Sequence, residues 1–171
     1  GVGTTDSKLK HEFKTLSGCD VSAASLERAK EVNPEVEYSL YDSNTLPFES
    51  ESFDVVFTIN VMHHVPPVKW DQFLLEAKRV LKKDGKLIVF EHNPFKPLTL
   101  KAVRDCPFDK DAVLLNIFKM NNLIKNAGLK VKARRFILFF SFKGKVFRFI
   151  EKLLFKCPLG AQYYVVGSKE L

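Results

Sequence analysis

Short apolar runs and helical stripes alternate along most of this chain. Leu16 to Asp20 is an apolar stretch that ends on an acid, and it reads as a strand. Ser22 follows as a helix N-cap for 23–32, where Leu26 and Ala29 share a face. Asn33-Pro34 stops that helix. Val36–Tyr41 and Phe53–Asn60 read as the next strands, and Val55-Val56-Phe57 lacks alternation, as a strand covered on both faces does. Trp70–Leu81 carries Trp70, Phe73, Leu74, Ala77 and Leu81 at helical spacing. Lys83-Asp84-Gly85 is a turn before a buried-type strand, Lys86–Glu91. Pro94, Pro97 and Pro107 break the next stretch into loop. Asp111 then caps a helix that runs through Ala127 and ends at Gly128. Lys130–Phe139 and Gln162–Gly167 are later strands, separated by a basic apolar helix over Lys145–Phe155.

This alternation predicts an α/β chain with a Rossmann-like, mostly parallel sheet, helices on both faces and an antiparallel last strand. The 171 residues suit one domain over 1–171, with the basic apolar helix at about 145–155 as an insertion. In such sheets ligands sit beyond the carboxyl ends of strands. The residues just past those ends are Asp20, Asp42-Ser43, Asn60 onward, and His92-Asn93.

Composition adds limits. Hydrophobic residues make up 46%, enough for a buried core, yet no apolar run approaches the ~18 residues that cross a bilayer. Cys19, Cys106 and Cys157 are odd in number and widely spaced. They offer neither a disulfide framework nor a metal-ligand spacing, so a reducing, cytoplasmic setting and no metal are expected. The net charge of +7 gathers in the last third and favours acidic or anionic partners. The opening glycine, where a methionine would normally stand, suggests a processed product or a fragment.

Gly1-Val2-Gly3-Thr4 is a glycine-rich start, which lets backbone approach a ligand closely. About seventeen residues on, Asp20 ends a strand where it can accept from ribose hydroxyls. Asp42 ends the next strand, with Leu46 and Phe48 as an apolar wall. Each acid alone is equally well a solvated strand-end residue. A nicotinamide dehydrogenase also uses a glycine loop and a strand-end acid, but its Gly-x-Gly-x-x-Gly spacing fails at Asp6.

Gly18-Cys19-Asp20-Val21-Ser22, Leu46-Pro47-Phe48 and Ser52-Phe53-Asp54-Val55-Val56 together resemble class I S-adenosylmethionine-dependent methyltransferases of the small-molecule (type 11) kind. Val61-Met62-His63-His64-Val65 and Arg79-Val80-Leu81-Lys82-Lys83-Asp84-Gly85 continue the resemblance in order. It implies S-adenosylmethionine as cofactor. Gly1 and Gly3 would pass under its methionine part, Asp20 with Val21 would hold the ribose, and Asp42 and Ser43 the adenine. Asn60 and Val61 would line the sulfonium side. Thr5 stands where the family has a third loop glycine. The family's first strand, central in its sheet, is expected to lie before residue 1.

Asn60-Val61-Met62-His63 departs from the Asn/Asp-Pro-Pro-aromatic motif of base and glutamine-amide methyltransferases. A small-molecule or lipid-linked acceptor is therefore expected, with oxygen as the nucleophile. His92 and then His64 are the candidate general bases; a purely structural role is the other reading for both, the His63-His64 pair serving the loop itself. Glu91 and Asn93 are placed to orient His92 or to touch the acceptor. The strings Glu91–Thr99 and Arg104–Asp109 resemble a bacterial subgroup of these enzymes, with Arg104 in a loop available to an anionic group. A surface loop fixed by its own caps is the other reading. Val146, Phe149, Ile150, Leu153 and Leu154 form a stripe flanked by Lys145, Arg148, Lys152 and Lys156, which suits peripheral contact with anionic lipid through 145–156 as well as ordinary core. No nucleic-acid motif is present. A non-catalytic, methyltransferase-like binding module is the alternative function.

Overall fold

The computed structural model describes residues 1–140, 144, 149–151 and 153–170. The chain forms two compact units, Gly1–Glu49 and Ser50–Leu171.

The first unit is a β-α-β element preceded by a short helix, α1 (Asp6–Leu9). Strand β1 (Ser17–Asp20) pairs in parallel with β2 (Glu37–Leu40), from Ser17 opposite Glu37 to Asp20 opposite Leu40. Helix α2 (Ala23–Val32) makes the crossover. It starts where the sequence predicts, because the Ser22 hydroxyl accepts from Ser25 N at 3.2 Å. Its Leu26 and Ala29 are buried. Gly18 has no room for a side chain, since a Cβ would lie 2.7 Å from the Tyr38 ring.

The second unit carries a four-stranded sheet in the order β3-β4-β6-β5. Strand β3 (Phe53–Ile59) runs parallel to β4 (Leu81–His92), whereas β6 (Gln162–Ser168) runs antiparallel to both β4 and β5 (Lys130–Ile137). The expected antiparallel last strand is therefore β6. Helix α3 (Trp70–Val80) packs on β4 and on α5 (Ile117–Asn126), which in turn covers β5 and β6. Trp70, Phe73, Leu74, Ala77 and Val80 of α3 and Ile117, Met120 and Ile124 of α5 are buried residues of these two packed helices.

Four expectations are corrected. The Lys83-Asp84-Gly85 turn lies inside β4, because Leu81 already pairs with Phe53 and residues 82–85 bulge out before Lys86 pairs with Val55. Asp84 takes the turn's left-handed conformation (φ 61°) within that bulge. Strand β3 is half-buried along nearly all its length, not covered on both faces, and β4 is its one strand partner among the described residues. The segment after Pro94 is helical, α4 (Pro97–Asp105), because Pro97 sits in the first turn, where no N–H is needed. Helix α5 begins at Asn116, not Asp111: the Asn116 Oδ1 accepts from Phe118 N and Lys119 N at 3.0 and 2.9 Å. Gly128 at φ 76° ends this helix as predicted.

Much of the basic apolar helix over 145–155 lies outside the described residues. Within it, residues 149–151 and 153 are helical, and Phe149 and Leu153 are 64% and 65% exposed. No helix among the described residues is long and apolar enough to cross a membrane.

Candidate functional site

In the first unit the glycine loop is held by a polar network centred on Asn33. Gly3 has φ 77°, and a Cβ there would lie 2.6 Å from Asn33 Nδ2 and 3.1 Å from the Ala29 backbone. Both the conformation and the close approach to α2 require glycine. The fully buried Asn33 donates to Gly3 O at 2.9 Å and to Tyr38 Oη at 3.2 Å, and its Oδ1 accepts from Ser7 Oγ at 2.8 Å. Tyr38 donates to Asp6 Oδ2 at 2.8 Å. Burial, followed by that bond to a carboxylate, pushes the phenol up to about 12. The sequence marks Asn33 only as a helix stop, and its partners lie on three separate elements.

Asp20 closes β1 beside this loop. Its Oδ1 accepts from Ser22 N at 2.8 Å, and its Oδ2 lies against Gly1 N. Val21 is 59% exposed beside it. A bare backbone turn next to a strand-end carboxylate fits a ligand that brings hydroxyl donors, as the nucleoside part of S-adenosylmethionine does. Asp42 follows β2, exposed, with Oδ1 accepting from Asn44 N and Thr45 N at 2.8 and 2.9 Å. Ser43 adopts φ 68° in that turn.

In the second unit Asn60, just past β3, and His92, the last residue of β4, lie at the carboxyl end of these two strands. Asn60 is left-handed (φ 55°), and its Oδ1 accepts from Gln162 Nε2 at 3.3 Å. Val61, 39% exposed, leads into a 3-10 turn over Met62–His64. Trp70 Nε1 ties this turn down, donating to Met62 O and Val65 O at 3.1 and 2.9 Å.

Glu91 and Asn93 act inward. Glu91 is fully buried; its Oε1 accepts from Met62 N at 2.7 Å and its Oε2 lies 2.6 Å from His63 Nδ1. Both oxygens thus serve the His63 turn, and neither orients His92. Burial alone would lower the His63 pKa, but the Glu91 bond and the charges of Glu91 and Asp109 raise it. Asn93, also fully buried, donates to Pro158 O and Gly160 O at 2.8 and 2.7 Å and accepts from Phe95 N at 3.1 Å. It pins two walls of a neighbouring cleft.

His92 itself is half-buried, its ring 5.2 Å from that of His63. Burial and then the nearby His63 charge lower its pKa, so the neutral ring with its lone pair is favoured. His64 is 45% exposed, and its Nε2 lies 3.4 Å from Asp109 Oδ1. Arg104 stands exposed in the last turn of α4, on a helix and not in the expected loop.

The cleft measures about 440 Å³ and is lined by Phe95, Phe118, Phe136, Pro158, Leu159 and Lys156. Phe136 sits at the end of β5 opposite Tyr163, whose neighbour Gln162 faces His92. The cleft therefore belongs to the sheet edge that carries His92. Cations gather around it: Arg134 lies over Phe118, and Arg135 and Lys156 lie over Phe155.

Comparison with known proteins bears on both units. Over 84 residues the chain is 36% identical to a ubiquinone/menaquinone biosynthesis C-methyltransferase, UbiE, of Campylobacter jejuni, an overlap covering 49% of this chain and 35% of that protein. It is 34% identical over 82 residues to the phthiotriol/phenolphthiotriol dimycocerosates methyltransferase of Mycobacterium leprae, covering 47% and 30% of the two chains. The chain thus spans about a third of the length of these curated relatives. A solved S-adenosylmethionine-dependent methyltransferase of Thermotoga maritima superposes with a TM-score of 0.74 over 99% of this chain and 78% of that one, at 22% identity, a likeness of fold. The family model described as a methyltransferase domain matches residues 1–89. With just over half of its length in that match, the chain belongs to the methyltransferase-domain family.

Proposed function

We propose that this chain transfers a methyl group from S-adenosylmethionine to an oxygen of a small, mainly apolar acceptor that carries an anionic group or is joined to a lipid. The observation that carries the acceptor class is the aromatic cleft at the His92 edge, with cations at its rim. Apolar walls bind the body of such a molecule, and Lys156 meets its charge.

Bound S-adenosylmethionine supplies an electrophilic methyl group. In the first unit Gly1 and Gly3 offer bare backbone to it, and Asp20 with Val21 and Asp42 with Ser43 offer contacts to its nucleoside. Asn60 and Val61 keep the contact role that the family resemblance gives them. His92 is the proposed general base: it is the last residue of β4, on the end of the sheet that carries the cleft, and burial favours the neutral ring that accepts a proton. His64, nearer solvent, is the second candidate.

A panel of hydroxylated acceptors, graded in apolar area and charge, tests this reading through transfer of labelled methyl. With an anionic amphipathic acceptor, Lys156→Glu is expected to raise KM about tenfold and leave kcat nearly unchanged, since it removes binding common to ground and transition states. Equal KM values in Lys156→Glu and wild type would remove the cleft from the reading. Cofactor binding without transfer to any acceptor class would favour a binding module.

A further inference from the structure

The turn after β3 faces the short 3-10 helix Pro107–Asp109, and the two bring three ligand-type atoms together. One ring nitrogen from each of His63 and His64 and an Asp109 carboxylate oxygen all lie within 4.8 Å of one another. Asp109 Oδ1 is 3.4 Å from His64 Nε2 and 3.7 Å from His63 Nε2. These separations are too long for good hydrogen bonds. They are close to the edge of a tetrahedron whose centre lies 2.0–2.1 Å from each ligand, an edge of about 3.3 Å.

His63 is already prepared for such a role. Its Nδ1 is taken by the fully buried Glu91 at 2.6 Å, so the donor side of the ring is fixed and Nε2 is turned toward Asp109. A carboxylate behind an imidazole is the arrangement that orients histidine ligands of metals. Nε2 of this ring, on a side chain only 1% exposed, is directed at a carboxylate with a gap between them. Backbone pairing holds the opposite wall in place: Val113 N donates to His63 O at 2.8 Å, and Ala112 N donates to Asp109 O at 3.0 Å. Asp109 is 13% exposed and His64 45%, so the cluster opens to solvent on the His64 side.

We infer that His63, His64 and Asp109 form a binding site for one divalent transition-metal ion of the zinc type. Two imidazoles and a carboxylate suit first-row ions of this kind better than calcium or magnesium, which prefer oxygen alone. Three protein ligands leave a coordination position open toward solvent. Metal binding at this site is measured without turnover.

The test is a titration of Co²⁺, followed by visible absorption, into the chelator-treated chain, with Zn²⁺ as competitor. One equivalent of Co²⁺ is expected to give ligand-field bands that Zn²⁺ abolishes. His64→Ala, at an exposed position, and Asp109→Ala are expected to weaken binding on the order of 100-fold, and Glu91→Gln by about 10–100-fold. Each variant is first checked for a cooperative melt. Absence of a stoichiometric site, or affinity unchanged in folded His64→Ala and Asp109→Ala, overturns the inference.

Discussion

Replacing Glu91 with alanine is expected to lower stability by about 3–5 kcal/mol, the range for breaking a buried ionic pair from one side. The carboxylate is fully buried and holds two partners, Met62 N at 2.7 Å and His63 Nδ1 at 2.6 Å. Alanine leaves a buried amide and a buried imidazole without acceptors, and each carries its full desolvation cost. For a chain of this size the melting temperature should fall on the order of 10 °C. The paired change Glu91→Met with His63→Leu removes the carboxylate and the imidazole together but leaves the Met62 amide without its acceptor, so it is expected to recover only part of the loss. Chemical denaturation of the single and double variants measures both. A single-variant loss below about 1 kcal/mol would mean that water reaches the Met62 turn.

The second large effect is on turnover. His92→Gln is expected to lower kcat for an oxygen acceptor by about 10²–10⁴-fold, the usual contribution of a positioned general base. The ring is half-buried on the last residue of β4, so glutamine keeps polarity and much of the volume but loses the basic nitrogen. S-adenosylhomocysteine affinity should stay within about twofold, because the loss falls on the transition state alone. Single-turnover methyl transfer separates the two quantities. A kcat within threefold of wild type would pass the role to His64 or to an acceptor that ionises unaided.

Local signals were readable where one element decides its own structure. Ser22 and the Leu26/Ala29 face define α2 from Ala23 to Val32, and the stripe from Trp70 defines α3. Glycine at position 3 is explained by its φ of 77° and its closeness to Ala29, both consistent with a ligand-facing loop. What was not readable depends on partners distant in sequence. Asp111 and Asn116 are both competent caps, and the choice falls to Asn116 because Val113 N pairs with His63 O, holding residues 109–113 outside the helix. Pro97 reads as a breaker unless it is known to occupy a first helical turn. Glu91, at the end of a strand, and Asn93, just past it, read from the sequence as facing a ligand. Their partners, Met62, His63, Pro158 and Gly160, draw both inward, and no periodicity announces such pairs. Asn33 is the converse: it reads as punctuation and serves as the fixed point of the glycine loop.

Calorimetric titration of S-adenosylhomocysteine into this chain, beside Asp20→Ala, tests the cofactor assignment most directly. Saturable 1:1 binding is expected, weakened roughly 10–100-fold in Asp20→Ala, the size of one hydrogen bond to a charged group. A cooperatively folded chain that gives no binding heat, or equal affinity in Asp20→Ala, would contradict the assignment of the glycine loop and Asp20 to this cofactor.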